Sequence, residues 1–281
     1  MVKITTLIEN NSSNVNLKSE HGLSLYIETD EHKILFDTGQ SNLFIQNAKK
    51  LNINLQEIDI VVISHGHYDH LGGLISFLKL NQKAKIFLKK EIFDYQYFAI
   101  RNGTKKHIGY STDLLDYKDR FVFLESAFHS IDNLYFFANI DKIYALPKGN
   151  EILFKQKDNK QFKDDFQHEL IFAINSINGL IVFCGCAHNG ILNTVSTVQR
   201  FLINKTIKTI IGGFHLIDNN DFVETETENE IKFIATELNR ITNGATYYTG
   251  HCTSESAFCI LSSVLKTDLQ KIETGEIIKT T

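Results

Sequence analysis

Seven residues that follow an apolar segment constrain this chain more than any other feature. Residues 59–63 predict a buried strand, and the next seven read Ser-His-Gly-His-Tyr-Asp-His. In extended backbone, side chains two positions apart point the same way, so His65, His67 and Asp69 can converge, and His70 can face the same cavity from the turn into a helix. A lone histidine is usually a satisfied core residue, but three imidazoles and a carboxylate within six residues have little structural purpose. The segment therefore predicts a metal centre, with zinc as the expected ion and iron, nickel or manganese as alternatives.

Composition and charge exclude several classes of function. The chain has 281 residues and a formal net charge of -4, and its few basic clusters are pairs instead of stripes, which argues against a nucleic-acid partner. No segment approaches the roughly 18–20 apolar residues that cross a bilayer, and the N-terminus reads as a strand instead of a secretory signal. The four cysteines fall late in the chain, as Cys184, Cys186, Cys252 and Cys259. Such spacing favours reduced thiols in a cytoplasmic protein over a disulfide framework.

Hydrophobic periodicity predicts a mixed α/β chain that forms one domain over residues 1–281. Strands are predicted at 2–8, 23–29, 32–36, 59–63, 179–184, 207–212 and 245–249. Helices are predicted at 40–51, from 72 through 78, and at 189–203, 224–242 and 254–265. Two half-domains of mixed strands, each covered by helices, would satisfy layer packing. The candidate site residues follow the ends of predicted strands, where open α/β sheets place their ligand sites.

The region between these two strand–helix patterns has a different texture. Strands are predicted at 84–88, 121–125 and 133–138, with an aromatic-rich helical stretch around Phe93, Tyr95, Tyr97 and Phe98. We interpret residues 91–140 as an insertion, for which three roles are open. It can act as a lid, supply the surface of a homodimer, or be ordinary core.

The His-x-His-x-Asp-His pattern after an apolar strand resembles the signature of the metallo-β-lactamase superfamily. Further motifs follow in the family's order, namely Asp37-Thr38-Gly39, Gly185-Cys186-Ala187-His188 and Gly250-His251-Cys252-Thr253. The resemblance extends along nearly the whole chain. It implies an αββα sandwich, in which two mixed β-sheets pack face to face and helices cover the outer faces.

The same resemblance implies the roles of the site residues. It implies a first metal site of His65, His67 and His188, and a second of Asp69, His70 and His251. One or two zinc ions per chain are therefore expected. Asp37 would support the metal loop without binding metal. Asp69 would also help to orient the nucleophile.

The chain departs from the family pattern at one place. Most binuclear members carry a bridging aspartate some 20–25 residues after the ligand that matches His188. Here residues 210–216 read Ile-Ile-Gly-Gly-Phe-His-Leu, and the next carboxylate is Asp218. Either His215 takes part of that role, or the two metals lack a protein bridge, and a mononuclear centre is open. His215 is also the candidate for stabilising negative charge or protonating the leaving group.

These motifs are similar to one subgroup in particular, which includes the dihydropterin–ribofuranosylaminobenzene phosphate synthases and many unassigned hydrolases. Glu20-His21-Gly22 and Asp164-Asp165-Phe166 resemble it less specifically. His21, Lys106 and His215 are the candidate substrate-binding residues, since an anionic substrate would need such groups.

The resemblance favours a metal-dependent hydrolase, which uses a metal-activated hydroxide on a small phosphorylated or otherwise anionic cytosolic metabolite. A pterin-type transferase or synthase that releases pyrophosphate is the first alternative. A redox iron protein on the same scaffold is a second, and a metabolite-binding module with a vestigial metal site is a third. The predicted partner in each enzymatic case is a small molecule.

Overall fold

The strands and helices of the chain are taken from a computed structural model, which describes residues 1–218 and 224–280. The strands in the first half are β1 Val2–Ile8, β2 Ser24–Glu28, β3 Lys33–Phe36, β4 Ile60–Val62, β5 Lys85–Leu88, β6 Gln96–Arg101, β7 Thr104–His107, β8 Phe121–Phe123, β9 Phe128–Ile131 and β10 Leu134–Phe137. Those in the second half are β11 Leu153–Lys157, β12 Lys160–Lys163, β13 Ile171–Ser176, β14 Gly179–Phe183, β15 Ile207–Ile211, β16 Thr246–Thr249, β17 Leu269–Lys271 and β18 Ile277–Thr280. The α-helices are α1 Leu43–Lys50, α2 Tyr68–Leu71, α3 Leu74–Leu80, α4 Ile191–Phe201, α5 Glu228–Thr242 and α6 Glu255–Leu265. Short 3₁₀ helices cover Leu55–Glu57, Lys90–Phe93, Thr112–Arg120, Lys148–Ile152 and Lys266–Asp268.

Two seven-stranded mixed sheets form the centre of the fold. Their strand orders are β18-β1-β2-β3-β4-β5-β8 and β17-β16-β15-β14-β13-β10-β9. In the first sheet the pairs from β18 to β3 are antiparallel and those from β3 to β8 are parallel. In the second sheet the pairs from β9 to β14 are antiparallel and those from β14 to β17 are parallel. This arrangement brings the carboxyl ends of β14, β15 and β16 to one edge of their sheet.

The sheets pack face to face through large apolar side chains. Phe36 of the first sheet lies with its ring centroid 6.2 Å from that of Phe172 and 5.7 Å from that of Phe183 in the second. The outer face of the first sheet is covered by α1 and α3, and that of the second by α4, α5 and α6. The predicted αββα sandwich is therefore confirmed.

The strand before the histidine-rich segment, β4, contains only apolar residues, and its position in the fold explains why. In β4, Ile60 and Val62 face the core between the sheets, whereas Val61 faces the helical layer. A strand covered on both faces carries no polar side, so a continuous apolar run is expected there. The histidines begin as soon as this run ends, at the carboxyl end of the strand.

A third, four-stranded sheet of order β12-β11-β6-β7 was not foreseen from the sequence. The prediction of a helix around Phe93–Phe98 is wrong, because only the 3₁₀ turn up to Phe93 is helical and β6 follows it. Tyr97 and Ala99 are buried while their neighbours in β6 are less so, which is the period of a strand. The remaining strands of residues 91–140 join the two main sheets, β8 the first and β9 and β10 the second. A role of this segment as a lid stays a prediction.

The predicted strands and the other predicted helices agree with the structure to within a few residues at their ends, but β6, β7, β9, β11, β12, β13, β17 and β18 were not predicted. Among the residues that the structure describes, no helix is long and apolar enough to cross a membrane.

Candidate metal centre

Three histidines from two separate loops meet beyond the carboxyl ends of β4 and β14. His65, His67 and His188 are all buried, and one ring nitrogen from each lies within 4.8 Å of the other two. The ring centroids are 4.6 Å apart for His65–His67, 5.0 Å for His65–His188 and 4.8 Å for His67–His188. We call these three residues the first cluster.

The rings of the first cluster are oriented by neighbours that leave nitrogens free. The Nδ1 atom of His65 lies 2.9 Å from Ser64 Oγ, and that of His188 lies 3.0 Å from Asn150 Oδ1. Among the described residues, the buried Nε2 atoms of His65 and His188 have no hydrogen-bond partner. Unpaired buried nitrogens are costly unless something binds them, so these residues fit a metal ion.

His67 is positioned by a pair of residues that the sequence interpretation did not assign to the site. The backbone N–H of Gly66 donates to His168 Nδ1 at 3.0 Å, so His168 carries its proton on Nε2 and donates to Asp164 Oδ2 at 3.1 Å. The same Asp164 oxygen lies 3.9 Å from His67 Nε2. The sequence indicated Asp164 only through a less specific resemblance to the family subgroup. His168 lies four residues after Asp164, just before β13.

Asp69, His70 and His251, the residues that the family resemblance implies for a second metal site, form a second cluster. His70 Nε2 lies 3.0 Å from His251 Nε2, and Asp69 Oδ2 lies 3.2 Å from His251 Nε2 and 3.7 Å from His70 Nε2. His21 adds a further contact, with its Nε2 3.2 Å from Asp69 Oδ2. Here the potential ligand atoms contact one another, unlike those of the first cluster.

Asp37 supports the second cluster from behind. Its carboxylate accepts hydrogen bonds from the Ser64 backbone N–H at 2.8 Å and the Ser64 hydroxyl at 2.7 Å, and Oδ2 lies 2.6 Å from His70 Nδ1. Asp37 follows β3 with a φ of 57°, a conformation that Asp and Asn tolerate better than most residues. On the other side, His251 Nδ1 lies 3.0 Å from Asn10 Oδ1. A partner on the second ring nitrogen fixes the orientation of a metal-binding histidine.

The two clusters differ in their protonation. Burial lowers the pKa of His65 and His188 well below the ordinary value, and the neighbouring imidazoles lower it further. Burial alone would lower the pKa of His70 as well, but the carboxylates of Asp37 and Asp69 outweigh it and raise that pKa. Burial would raise the pKa of Asp69, yet His70, His21 and His251 hold it well below its usual range. Burial therefore favours neutral imidazoles at His65 and His188, whereas the charged forms are favoured at Asp69 and His70.

Both clusters open on one cavity of about 460 Å³. Its wall includes His67, Asp69, His188 and His251 together with the three candidate substrate residues, His21, Lys106 and His215. The ring of His215 lies 4.1 Å from that of His188, centroid to centroid. Lys106, on β7 of the small sheet, donates from its Nζ to the Tyr68 hydroxyl at a distance of 3.3 Å. Arg101, on β6, also lines the cavity and was not identified from the sequence.

Comparisons with known proteins identify the family of the chain. The family model described as metallo-beta-lactamase superfamily matches residues 19–163. The chain is 30% identical to a 7,8-dihydropterin-6-methyl-4-(beta-D-ribofuranosyl)-aminobenzene-5'-phosphate synthase of Methanocaldococcus jannaschii, over 99% of this chain and 96% of that protein. A metal-dependent hydrolase of the UPF0173 group from Staphylococcus aureus is 31% identical over 40% of this chain and 47% of its own length.

A solved structure gives the same result for the fold. Tm1679, described as a metal-dependent hydrolase of the beta-lactamase superfamily, superposes with a TM-score of 0.84 at 29% identity over the full length of both chains. The chain belongs to the metallo-β-lactamase superfamily. Within it, the relatives include both metal-dependent hydrolases and a synthase.

Proposed function

We propose that this chain is a metal-dependent hydrolase of a small phosphorylated or otherwise anionic metabolite in the cytoplasm. The observation that carries the proposal is the first cluster, in which His65, His67 and His188 bring ring nitrogens within 4.8 Å of one another beside the 460 Å³ cavity. Three neutral imidazoles that leave a position open to a cavity are typical of catalytic zinc sites. Zinc is accordingly the proposed ion, with a second ion at Asp69, His70 and His251.

An ion bound there would lower the pKa of a water molecule towards neutrality and polarise an electrophilic phosphorus or carbonyl group. Asp69 lies in the cavity wall with its carboxylate ionised, so it can accept a hydrogen bond from the attacking nucleophile and orient it. His215 lies beside His188, where an N–H can stabilise negative charge that develops on the leaving group.

The choice of an anionic substrate is supported by the residues of the small sheet. Arg101 and Lys106 are both exposed and line the cavity from β6 and β7. Cationic groups beside a metal centre attract phosphate and carboxylate, and an arginine can bind either in a bidentate manner. The name of the M. jannaschii relative, which ends in 5'-phosphate synthase, also indicates a phosphorylated compound.

A synthase reaction that releases pyrophosphate is the second candidate. It is supported by the 30% identity to the M. jannaschii synthase over 99% of this chain. The two reactions differ in the fate of water, because hydrolysis incorporates a solvent oxygen into a product and the transfer of a group between two substrates need not do so.

The proposal is tested by metal content and turnover measured on the same preparations. Purified chain and the variants His67→Ala and His129→Ala are analysed for metal and assayed on phosphodiesters, phosphomonoesters, pyrophosphates, thioesters and lactones in ¹⁸O-labelled water. His129 is an exposed residue of β9 and serves as the matched control. We expect bound metal and ¹⁸O incorporation in wild type and His129→Ala, with both reduced in His67→Ala. Turnover without ¹⁸O would favour the synthase, and a wild-type chain that holds no metal after zinc reconstitution would contradict both reactions.

A further inference from the structure

Two cysteines and a histidine lie together beside the two clusters, and the proposed reaction uses neither sulfur. One ring nitrogen of His215 and the Sγ atoms of Cys186 and Cys252 all lie within 4.8 Å of one another. Each of the three residues comes from a loop after a different parallel strand, β14, β15 or β16. All three also line the 460 Å³ cavity. The set is continuous with the second cluster, because Cys186 Sγ lies 3.2 Å from His70 Nε2.

His215 supplies an independent sign that this set binds something. Its side chain is about nine-tenths buried, and neither ring nitrogen has a hydrogen-bond partner among the described residues. Its backbone N–H points to Cys252 Sγ at 3.2 Å, which holds the residue against that sulfur. The φ of His215 is 50°, an uncommon conformation for a residue with a side chain. A buried imidazole without partners, held next to two sulfurs, is the expected form of a metal ligand.

The sulfur of Cys252 fills the space at the tip of β15. A Cβ atom on Gly213 would lie only 2.3 Å from Cys252 Sγ, so no larger residue fits at Gly213 while that sulfur keeps its place. This tip is the region where the sequence lacks the carboxylate that bridges two metals in most binuclear members. In this chain the sulfur of Cys252 therefore occupies the space that a side chain at Gly213 would need.

We propose that Cys186, His215 and Cys252 bind one divalent ion of the zinc type, in addition to those held by the histidine clusters. Two sulfur ligands and one imidazole suit zinc and cobalt and disfavour magnesium, calcium and manganese. Coordination through one nitrogen of His215 leaves the other as an N–H donor, so the role proposed for it in the reaction is retained.

Cobalt(II) gives a direct test, because a sulfur ligand produces a near-ultraviolet charge-transfer band that imidazole and carboxylate ligands do not. The full-length chain is stripped with chelator, titrated with Co²⁺, and its bound metal is counted by elemental analysis. We expect the band in wild type and in Cys259→Ser. In Cys186→Ser and in Cys252→Ser the band should disappear, and each variant should bind about one equivalent of metal less than wild type. Cys259 is exposed on α6 and is the matched control.

The variant His67→Ala separates this inference from the proposed function. We expect it to lose the ion of the first cluster and to keep the sulfur band. Loss of the band in His67→Ala would assign the sulfurs to the histidine centre and overturn a separate site. Metal in wild type without any sulfur band would overturn the inference alone. If wild type shows the sulfur band but His67→Ala keeps all of its metal, the result would contradict metal binding by the first cluster and leave the sulfur site standing.

A second measurement needs no substitution. Cys252 is partly exposed, so its alkylation by iodoacetamide can be followed by mass spectrometry beside that of Cys259 in the same molecule. If the sulfur binds metal, zinc should slow alkylation of Cys252 by about tenfold or more and leave Cys259 unchanged, since the coordinated thiolate is a poor nucleophile. Equal rates with and without zinc would contradict the proposal.

Discussion

The first and second clusters lie in one cavity but are built differently. In the first, three imidazoles stand without a carboxylate ligand, and the Nε2 atoms of His65 and His188 have no hydrogen-bond partner among the described residues. In the second, Asp69 contacts His251 and His21, and Asp37 contacts His70, so every member already has a charged or polar neighbour. A bound metal ion would satisfy the buried nitrogens of the first cluster, whereas the residues of the second already contact one another.

This difference indicates which ion the chain should hold more firmly. A neutral set of ligands binds metal without losing hydrogen bonds, while a set that is already paired must give up contacts and a proton. We therefore expect the first cluster to bind the tighter ion and the second to bind the weaker and more variable one. The predictions below test this order.

Removal of a first-cluster ligand should have the largest effect. His67→Ala should lose about one equivalent of metal and reduce kcat/KM on the order of 1,000-fold, because a catalytic ion supplies several kcal/mol of transition-state stabilisation and each 1.4 kcal/mol is tenfold. Elemental analysis and steady-state kinetics measure both quantities. Full metal content in this variant would contradict the assignment of the first cluster.

Asp37→Asn should act more strongly on the second cluster, which Asp37 contacts directly, than on the first, which it reaches only through Ser64. Asparagine tolerates the φ of 57° and can still accept the Ser64 hydrogen bond, but it removes the charge that faces His70 Nδ1. We expect the affinity of the weaker ion to fall about 10- to 100-fold, as is usual when the partner of a metal-binding histidine is changed. Competition with a coloured chelator measures the two affinities. An equal loss at both sites would show that the clusters are not independent.

Acidification should remove the two ions in a fixed order. The pKa of His70 is raised by the two carboxylates, so its proton competes with metal first as pH falls, by about tenfold in affinity per pH unit. The pKa values of His65 and His188 are lowered by burial, so the first cluster resists protons to a lower pH. Equilibrium dialysis against zinc at a series of pH values should show two separate steps. A first step that disappears in His67→Ala instead of in Asp37→Asn would reverse the assignment.

The smallest effect is expected away from the metals. Lys106→Ala should raise KM for a phosphorylated substrate about three- to tenfold and leave metal content and kcat unchanged, since an exposed charge contributes about 1 kcal/mol. The neighbouring Lys105 is the control, because its Nζ lies 3.8 Å from the centroid of the Phe98 ring and it does not line the cavity. If Lys105→Ala raises KM equally, the effect comes from the general charge of β7.

The sequence predicted the two halves of the fold because their strands are rich in apolar and β-branched residues and the apolar positions of their helices repeat at a clear period. It did not predict the small sheet, since β12 is exposed along its whole length and β6 carries aromatic residues that fit either a helix or a strand. Residues 219–223 and 281 lie outside the described structure. The helix predicted at 224–242 begins at Glu228, because Thr227 is extended and its side chain caps the helix N-terminus.

The predicted metal ligands come together because each follows the carboxyl end of a strand, and parallel strands bring those ends to one edge. Asp164, His168 and Arg101 were missed as site residues for a different reason. Their proximity to the site depends on how the small sheet and the loop before β13 pack beside the cavity. Hydrophobic periodicity in the sequence predicts secondary structure and does not predict such packing. The sulfur contact between Cys252 and the tip of β15 likewise depends on tertiary packing.

The small sheet has a consequence for how such a protein can change. The histidines and Asp69 belong to the sandwich, whereas Ala99, Arg101, Lys106 and Leu153 reach the same cavity from β6, β7 and β11. The proposed metal ligands and the cationic part of the cavity wall therefore lie on separate pieces of chain. A new preference can be acquired by exchanging two hairpins, by evolution or by grafting, while the inherited chemistry is left in place.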